Sequence, residues 1–90
     1  MTSDNERIED AKKAFTGVGT VKNYEKAYSL FLPLAKSGNA EAARFVGLMK
    51  FTGKGTNKDI NEARQWLSVA AQKGDKIATE LLEKFKSLFR

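Results

Sequence analysis

Apolar residues recur along this chain at three- and four-residue intervals, in runs bounded by capping residues and glycines. Ile8, Ala11, Phe15 and Val18 form the first stripe, and a helix buries such a stripe along one side. Ser3 followed by Glu6 reads as a capping box opening this helix, which runs to about Phe15 before Gly17 stops it. Asn23 caps a second helix with the stripe Tyr24, Ala27, Tyr28, Phe31, Leu34 and Ala35, ended by Gly38. Asn39 opens a third, from Ala40 to about Thr52, closed by Gly53. Its residues Ala42, Ala43, Phe45, Val46, Leu48, Met49 and Phe51 surround most of the axis, the pattern of a helix contacted on several sides. Asp59 with Glu62 is a second capping box, starting a helix with Ile60, Ala63, Trp66, Leu67, Val69, Ala70 and Ala71 that Gly74 ends. Asp75 caps the fifth helix, with Ile77, Leu81, Leu82, Phe85, Leu88 and Phe89 on one side and Lys76, Glu80, Glu83 and Lys84 on the other.

The expected fold is therefore all-α, five helices in the order A–B–A–B–A with no sheet. The links from B to the next A are a residue or two long, which forces neighbours to pack antiparallel or at a steep angle. Two positions resist a regular reading. Pro33 lies well inside the second helix, where it lacks a donor and clashes with the preceding turn; a kink that curves the hairpin is expected there, or an early end. Gly47 sits mid-helix, where glycine costs ~1 kcal/mol against alanine. Its counterpart in the preceding hairpin is Ala11, so close approach of a neighbouring helix is the expected reason for a small residue. Trp66 falls on an apolar stripe and is expected in the core.

These elements repeat at 36 residues. Phe15-Thr16-Gly17-Val18-Gly19-Thr20 lies over Phe51-Thr52-Gly53-Lys54-Gly55-Thr56 with one difference. The register continues without a gap through Lys22 and Lys58, Ala27 and Ala63, Ala35 and Ala71, Gly38 and Gly74, Ala42 and Ala78. A period in this range marks units that cannot bury their apolar faces alone and must stack. Residues 1–90 thus read as a single domain: repeat one about 7–42, repeat two about 43–78, and a closing helix about 75–89.

Composition narrows the chemistry. Of the 90 residues 41% are hydrophobic and 30% charged, an ordinary globular balance, and no apolar run reaches the length of a membrane span. The polar, mixed-charge start Met1 to Arg7 lacks the apolar core of a signal peptide, so a cytoplasmic address is the expectation. Cysteine and histidine are both absent, which removes a thiol nucleophile, the usual general base and the commonest metal ligands. No catalytic, cofactor-binding or metal-binding residue is assigned. The net charge of +5 is dispersed, with Lys12-Lys13 and Lys84/Lys86 the densest clusters and acidic residues beside both. A solvated surface, or attraction to an acidic protein partner, accounts for it ahead of nucleic acid. The repeated Gly-x-Gly follows a helix rather than a strand, so it is a turn and not a phosphate loop.

Val46-Gly47, Met49, Gly53-Lys54-Gly55, Asp59, Glu62-Ala63, Trp66, Ala70-Ala71, Gly74 and Ala78 together resemble the Sel-one-like repeat, a relative of the tetratricopeptide repeat. The first repeat keeps Gly17, Gly19, Ala27, Ala35, Gly38 and Ala42 but departs at Ala11, Leu30 and Pro33. Lys50 stands where the family often has an aromatic residue; its ammonium is expected in water or facing a ligand groove. The resemblance implies a short α-solenoid that binds other proteins as an adaptor or scaffold, often in bacterial complexes, without catalysis. It also implies that the A helices line the inner, concave surface. Lys12, Arg44, Leu48, Phe51 and Lys84 are then the candidate partner-binding residues, a mixed apolar and basic strip suited to a protein or peptide with acidic side chains. Packing between neighbouring A helices is the alternative for Leu48 and Phe51. A small inhibitor or immunity-type protein that neutralises an enzyme or toxin is the alternative function, with nucleic-acid binding behind both. The chain is expected as a monomer or a weak homodimer, the dimer forming through the last turn at Leu88 and Phe89.

Overall fold

The computed structural model describes residues 3–89, with the side chains of Leu88 and Phe89 outside the described set. The self-association expected of those two side chains therefore lies outside the described residues. Five α-helices follow one another: α1 Asp4–Thr16, α2 Tyr24–Lys36, α3 Ala40–Thr52, α4 Ile60–Gln72 and α5 Lys76–Lys84, with a 3-10 turn at Lys86–Phe89. No strand occurs among the described residues.

Each helix starts where its capping residue stands. Ser3, Asn23, Asn39, Asp59 and Asp75 accept from the backbone N–H three residues on, at 3.2, 3.0, 2.9, 3.0 and 2.8 Å in turn. These bonds satisfy donors that a helix N-terminus leaves unpaired. The two longer turns are tied in the same way: Asn23 N–H donates to the Ala14 carbonyl and Asp59 N–H to the Lys50 carbonyl, both at 2.8 Å. Local chemistry of the repeat thus fixes the path of both hairpins.

Packing is dominated by small residues. Ala11, Ala27, Ala42, Ala43, Ala63, Ala70 and Ala78 are all fully buried, and Phe31, Met49, Leu67 and Val46 are the largest side chains with no exposure. The central helix α3 buries Ala42, Ala43, Val46, Gly47 and Met49, so it is enclosed on several sides, as its apolar pattern requires. Gly47 is where α3 meets α4. A Cβ there would lie 2.8 Å from Leu67 Cγ and 3.2 Å from the Ala63 carbonyl oxygen. Close approach, as expected, is the reason for the glycine.

Three expectations need correction or completion. Pro33 does not end its helix: α2 runs on to Lys36, and the Pro33 carbonyl accepts from Ser37 N–H at 3.0 Å. Proline there is exposed and costs the helix one bond, the N–H that would donate to the carbonyl of Ser29, itself on an exposed residue. Trp66 is partly rather than fully buried, packed from α4 against the core cluster. The closing helix stops at Lys84 instead of running to Phe89; its last turn tightens to 3-10 after Phe85.

Three substitutions test this packing. Phe31→Ala empties a fully buried ring stacked 4.4 Å from Phe45 and should cost ~3–5 kcal/mol. Trp66→Ala should cost ~1–3 kcal/mol, since that ring is packed against the core but only partly buried. Chemical denaturation of both variants gives the order directly. Gly47→Ala should lower stability by ~1 kcal/mol, because overpacking against Leu67 outweighs the ~1 kcal/mol helix-propensity gain. A rise in melting temperature for that variant would mean that α3 and α4 separate freely.

Candidate interaction surface

The strip that the periodicity marks runs over the A helices α1, α3 and α5, whose side chains reach one another. A row of charges runs across it. Glu9 Oε1 and Glu41 Oε2 flank Lys12 Nζ at 3.6 and 2.7 Å, joining α1 to α3. Arg44 Nη2 lies 3.6 Å from the same Glu41 oxygen, and Arg44 Nε donates to Asp75 Oδ2 at 3.1 Å, joining α3 to α5. The Arg44 and Asp75 side chains are only 12% and 11% exposed. The Arg44 guanidinium also lies 5.0 Å from the Phe45 ring centroid.

Arg44 is therefore not on the open side of its helix. Helical phase alone puts it there, but Asp75 arrives from 31 residues away and covers it. Asp75 has two tasks: Oδ1 caps α5 through Ala78 N–H at 2.8 Å, while Oδ2 holds Arg44. Lys12 remains partly exposed with its charge already shared between two carboxylates. Lys50, the other ambiguous cation, points neither to open water nor into a ligand groove. Its Nζ sits 3.2 Å from Glu62 Oε2 and 5.6 Å from the Tyr28 ring centroid, tying α3 to α4 and α2.

The rest of the strip differs in character. Leu48 and Phe51 are half-buried, and both lie outside the main core cluster. Phe51 stacks on Phe85 of the following turn, with centroids 4.6 Å apart and planes at 15°. Lys84 is exposed at the end of α5. The structure thus couples Lys12 and Arg44 through Glu41, and pairs Phe51 with Phe85, apart from that charged row. Glu41 and Asp75 were missed as members of the strip. Glu41 was detectable as the residue one helical turn before Arg44, whereas the Asp75 contact is purely tertiary. No group of histidine, cysteine or carboxylate side chains among the described residues could hold a metal ion. No helix among them is long and apolar enough to cross a membrane.

Charge states follow from these contacts. The hydrogen bond to Glu41 outweighs burial and raises the Lys12 pKa above its ordinary 10.5. Burial opposes the charge on Lys50, but the hydrogen bond to Glu62 leads the opposing effects and its pKa is also raised. Backbone N–H donation from Glu62 lowers the Asp59 pKa below its ordinary 3.8.

Charge reversal at Arg44 should be destabilising. Arg44→Glu faces Glu41 and Asp75 with a third carboxylate and should lose ~2–3 kcal/mol in denaturant unfolding. Asp75→Asn, which keeps an acceptor for the cap, should lose less than Asp75→Ala. The pH dependence has a definite shape. Stability contributed by Asp59 is present above 3.8 and lost as pH falls through its lower folded value. That from Lys12 and Lys50 is present below 10.5 and lost as pH rises through their higher folded values. With no histidine or cysteine, melting temperature measured by calorimetry should be nearly flat from about pH 5.5 to 9.5.

Comparison with known proteins places this geometry. The family model described as Sel1 repeat matches residues 10–39 and 40–75. No curated protein matches the chain significantly. Among solved structures, the crystal structure of a Sel1 repeat protein from Oxalobacter formigenes is similar with a TM-score of 0.84 and 32% sequence identity. That match covers 98% of this chain and 36% of the Oxalobacter protein, so this chain spans little more than a third of its length. Capped hairpins repeating at 36 residues, the tight α3–α4 crossing at Gly47 and both of these matches agree: the chain belongs to the Sel1 repeat family.

Proposed function

We propose that this chain is a non-enzymatic adaptor that binds a protein or peptide partner along the A-helix face. Sel1 repeats are generally protein-interaction modules, and typically scaffolds rather than enzymes. The observation that carries the finer reading is the apolar ground of Leu48 and Phe51, half-buried yet outside the core cluster, with Phe51 stacked on Phe85, the residue that follows the exposed Lys84. Apolar side chains in that position give a partner something to desolvate, and a nearby cation favours acidic side chains on it. Lys12 and Arg44 support the strip from below: their charges are spent on holding α1, α3 and α5 together, so they shape the face more than they attract a ligand.

The reading is tested with the full chain immobilised and exposed to native extract with and without nuclease, captured proteins being identified by mass spectrometry. A partner retained after nuclease and lost to Leu48→Ala/Lys84→Glu, with the variant's melting temperature preserved, is the expected result. Capture that nuclease abolishes would turn the reading toward nucleic acid. Capture unaffected by the double substitution would move the site off this strip.

A further inference from the structure

The two hairpins repeat the same face, and among the described residues only one of these faces is covered. On the second hairpin α2 lies across it: Phe31 and Leu34 of α2 share a core cluster with Val46 and Met49 of α3. The first turn of α2 also abuts the α3–α4 loop. Gly55 there, at φ +73°, has the Tyr24 carbonyl where a Cβ would project, and Lys54 Nζ lies 5.3 Å from the Tyr24 ring centroid.

Thirty-six residues earlier the same geometry stands open. Gly19 keeps φ +75°, yet nothing lies within 4 Å of its Cβ position. Val18 and Val21 in the same loop are 71% and 84% exposed. Ala43, Val46 and Met49, all fully buried under α2, have Arg7, Asp10 and Lys13 as their counterparts. Between α1 and α2 run two adjoining clefts of about 320 and 340 Å³ that share Leu30. Asp10, Lys13, Val21 and Lys26 line the first; Arg7 and Pro33 line the second.

Shape and charge together select an occupant. The groove corresponds to the one that α2 fills on the second hairpin, so a single helix fits it. Arg7, Lys13 and Lys26 face it against one carboxylate, Asp10, and among the described residues none of the three cations enters an ion pair. Leu30 and the loop valines supply apolar surface for the helix to cover, and the cations set the sign of its flanks. We propose that the outer face of the α1–α2 hairpin is a docking groove for one amphipathic, acidic-flanked helix of a partner protein, laid against it as α2 lies against α3 and the α3–α4 loop. The proposal rests on the interaction-module reading and adds a surface separate from Leu48, Phe51 and Lys84, so the chain can hold two partners at once.

The test uses two synthetic peptides of about 18 residues, long enough to sustain a helix. Both carry an apolar stripe spaced like Tyr24, Tyr28, Phe31 and Leu34; one has glutamate flanks and the other lysine flanks. Each is titrated into the isotope-labelled full chain and followed by NMR. The glutamate peptide should shift the amide signals of Arg7, Lys13, Val21 and Lys26, and bind about tenfold or more tightly than the lysine peptide. Arg7→Glu/Lys13→Glu, two exposed positions whose fold is checked by circular dichroism, should weaken it by about the same factor. Equal binding of the two peptides, undiminished binding to the variant, or no binding at all would overturn the groove and leave a charged end that faces water. Shifts confined to Leu48, Phe51 and Lys84 would overturn it too, while leaving the adaptor reading intact. A dimer in sedimentation that the double variant abolishes would assign the groove to a second copy of this chain, which also overturns the proposal.

Discussion

Position 47 has no room for a methyl group, because α3 passes so near Leu67 of α4 that a Cβ would fall inside contact distance. That crossing organises the rest. It brings the backbones of an A and a B helix together and puts α3 at the centre, where α2 can cover one side and α5 can reach another. The buried alanines play the same part at the other crossings. Close packing at such density leaves little slack, so the A helices are held at spacings that short side chains and single ion pairs can bridge.

The charged row across α1, α3 and α5 exists on those terms. Lys12 reaches Glu41 at 2.7 Å and Arg44 reaches Asp75 at 3.1 Å because neighbouring A helices stand within reach of one another's side chains. Exposed pairs of this kind contribute little to stability, but Arg44 and Asp75 are mostly covered, and there an unpaired partner is expensive to leave behind. The row therefore works as a registration device. A helix that slid by one turn would leave Arg44 with Glu41 of its own helix alone and Asp75 unable to cap and pair at once. The consequence for the function proposed above is that the most basic-looking part of the strip is already neutralised, so that reading rests on its less charged end at Leu48, Phe51 and Lys84.

How much of this could be read from the residues depends on the range of each interaction. Caps and turns were legible because they are local: Asn39 bonds Ala42, and Asp59 bonds Glu62, within one turn. The 36-residue period carried the stacking order, and Gly47 announced its own crossing. Arg44 was misplaced because helical phase describes one helix, while its burial depends on Asp75 of another. Trp66 was misplaced for a related reason: a stripe shows which side of α4 is apolar, but not how far around that side α2 and α3 extend. The candidate cations Lys12 and Arg44 were thus found as neighbours and misjudged as free. The groove of the first hairpin was within reach of the sequence, since setting Arg7, Asp10 and Lys13 over Ala43, Val46 and Met49 exposes the change from apolar to charged.

The two ends of the stack differ in a way the same comparison explains. Ala11, Gly47 and Glu83 occupy one position in three successive A helices. The first two are buried beneath the B helix of their own hairpin, and the third is exposed on α5. A helix approaching α5 as α4 approaches α3 would meet the Glu83 carboxylate where the crossing demands no side chain at all. Stripping water from that charge without a partner is costly, so this side of α5 is closed to a B helix by its chemistry. The outer face of α1 and α2 is altered differently: its charges lie along the groove at Arg7, Asp10 and Lys13, while Ala11 at the crossing is already covered by α2 and Gly19 stays bare in the loop. Charge at a crossing excludes a helix, whereas charge along the walls of a groove selects which helix enters. The two ends of the stack therefore differ in kind, with a carboxylate at the crossing position of α5 and charges along the groove walls of α1 and α2.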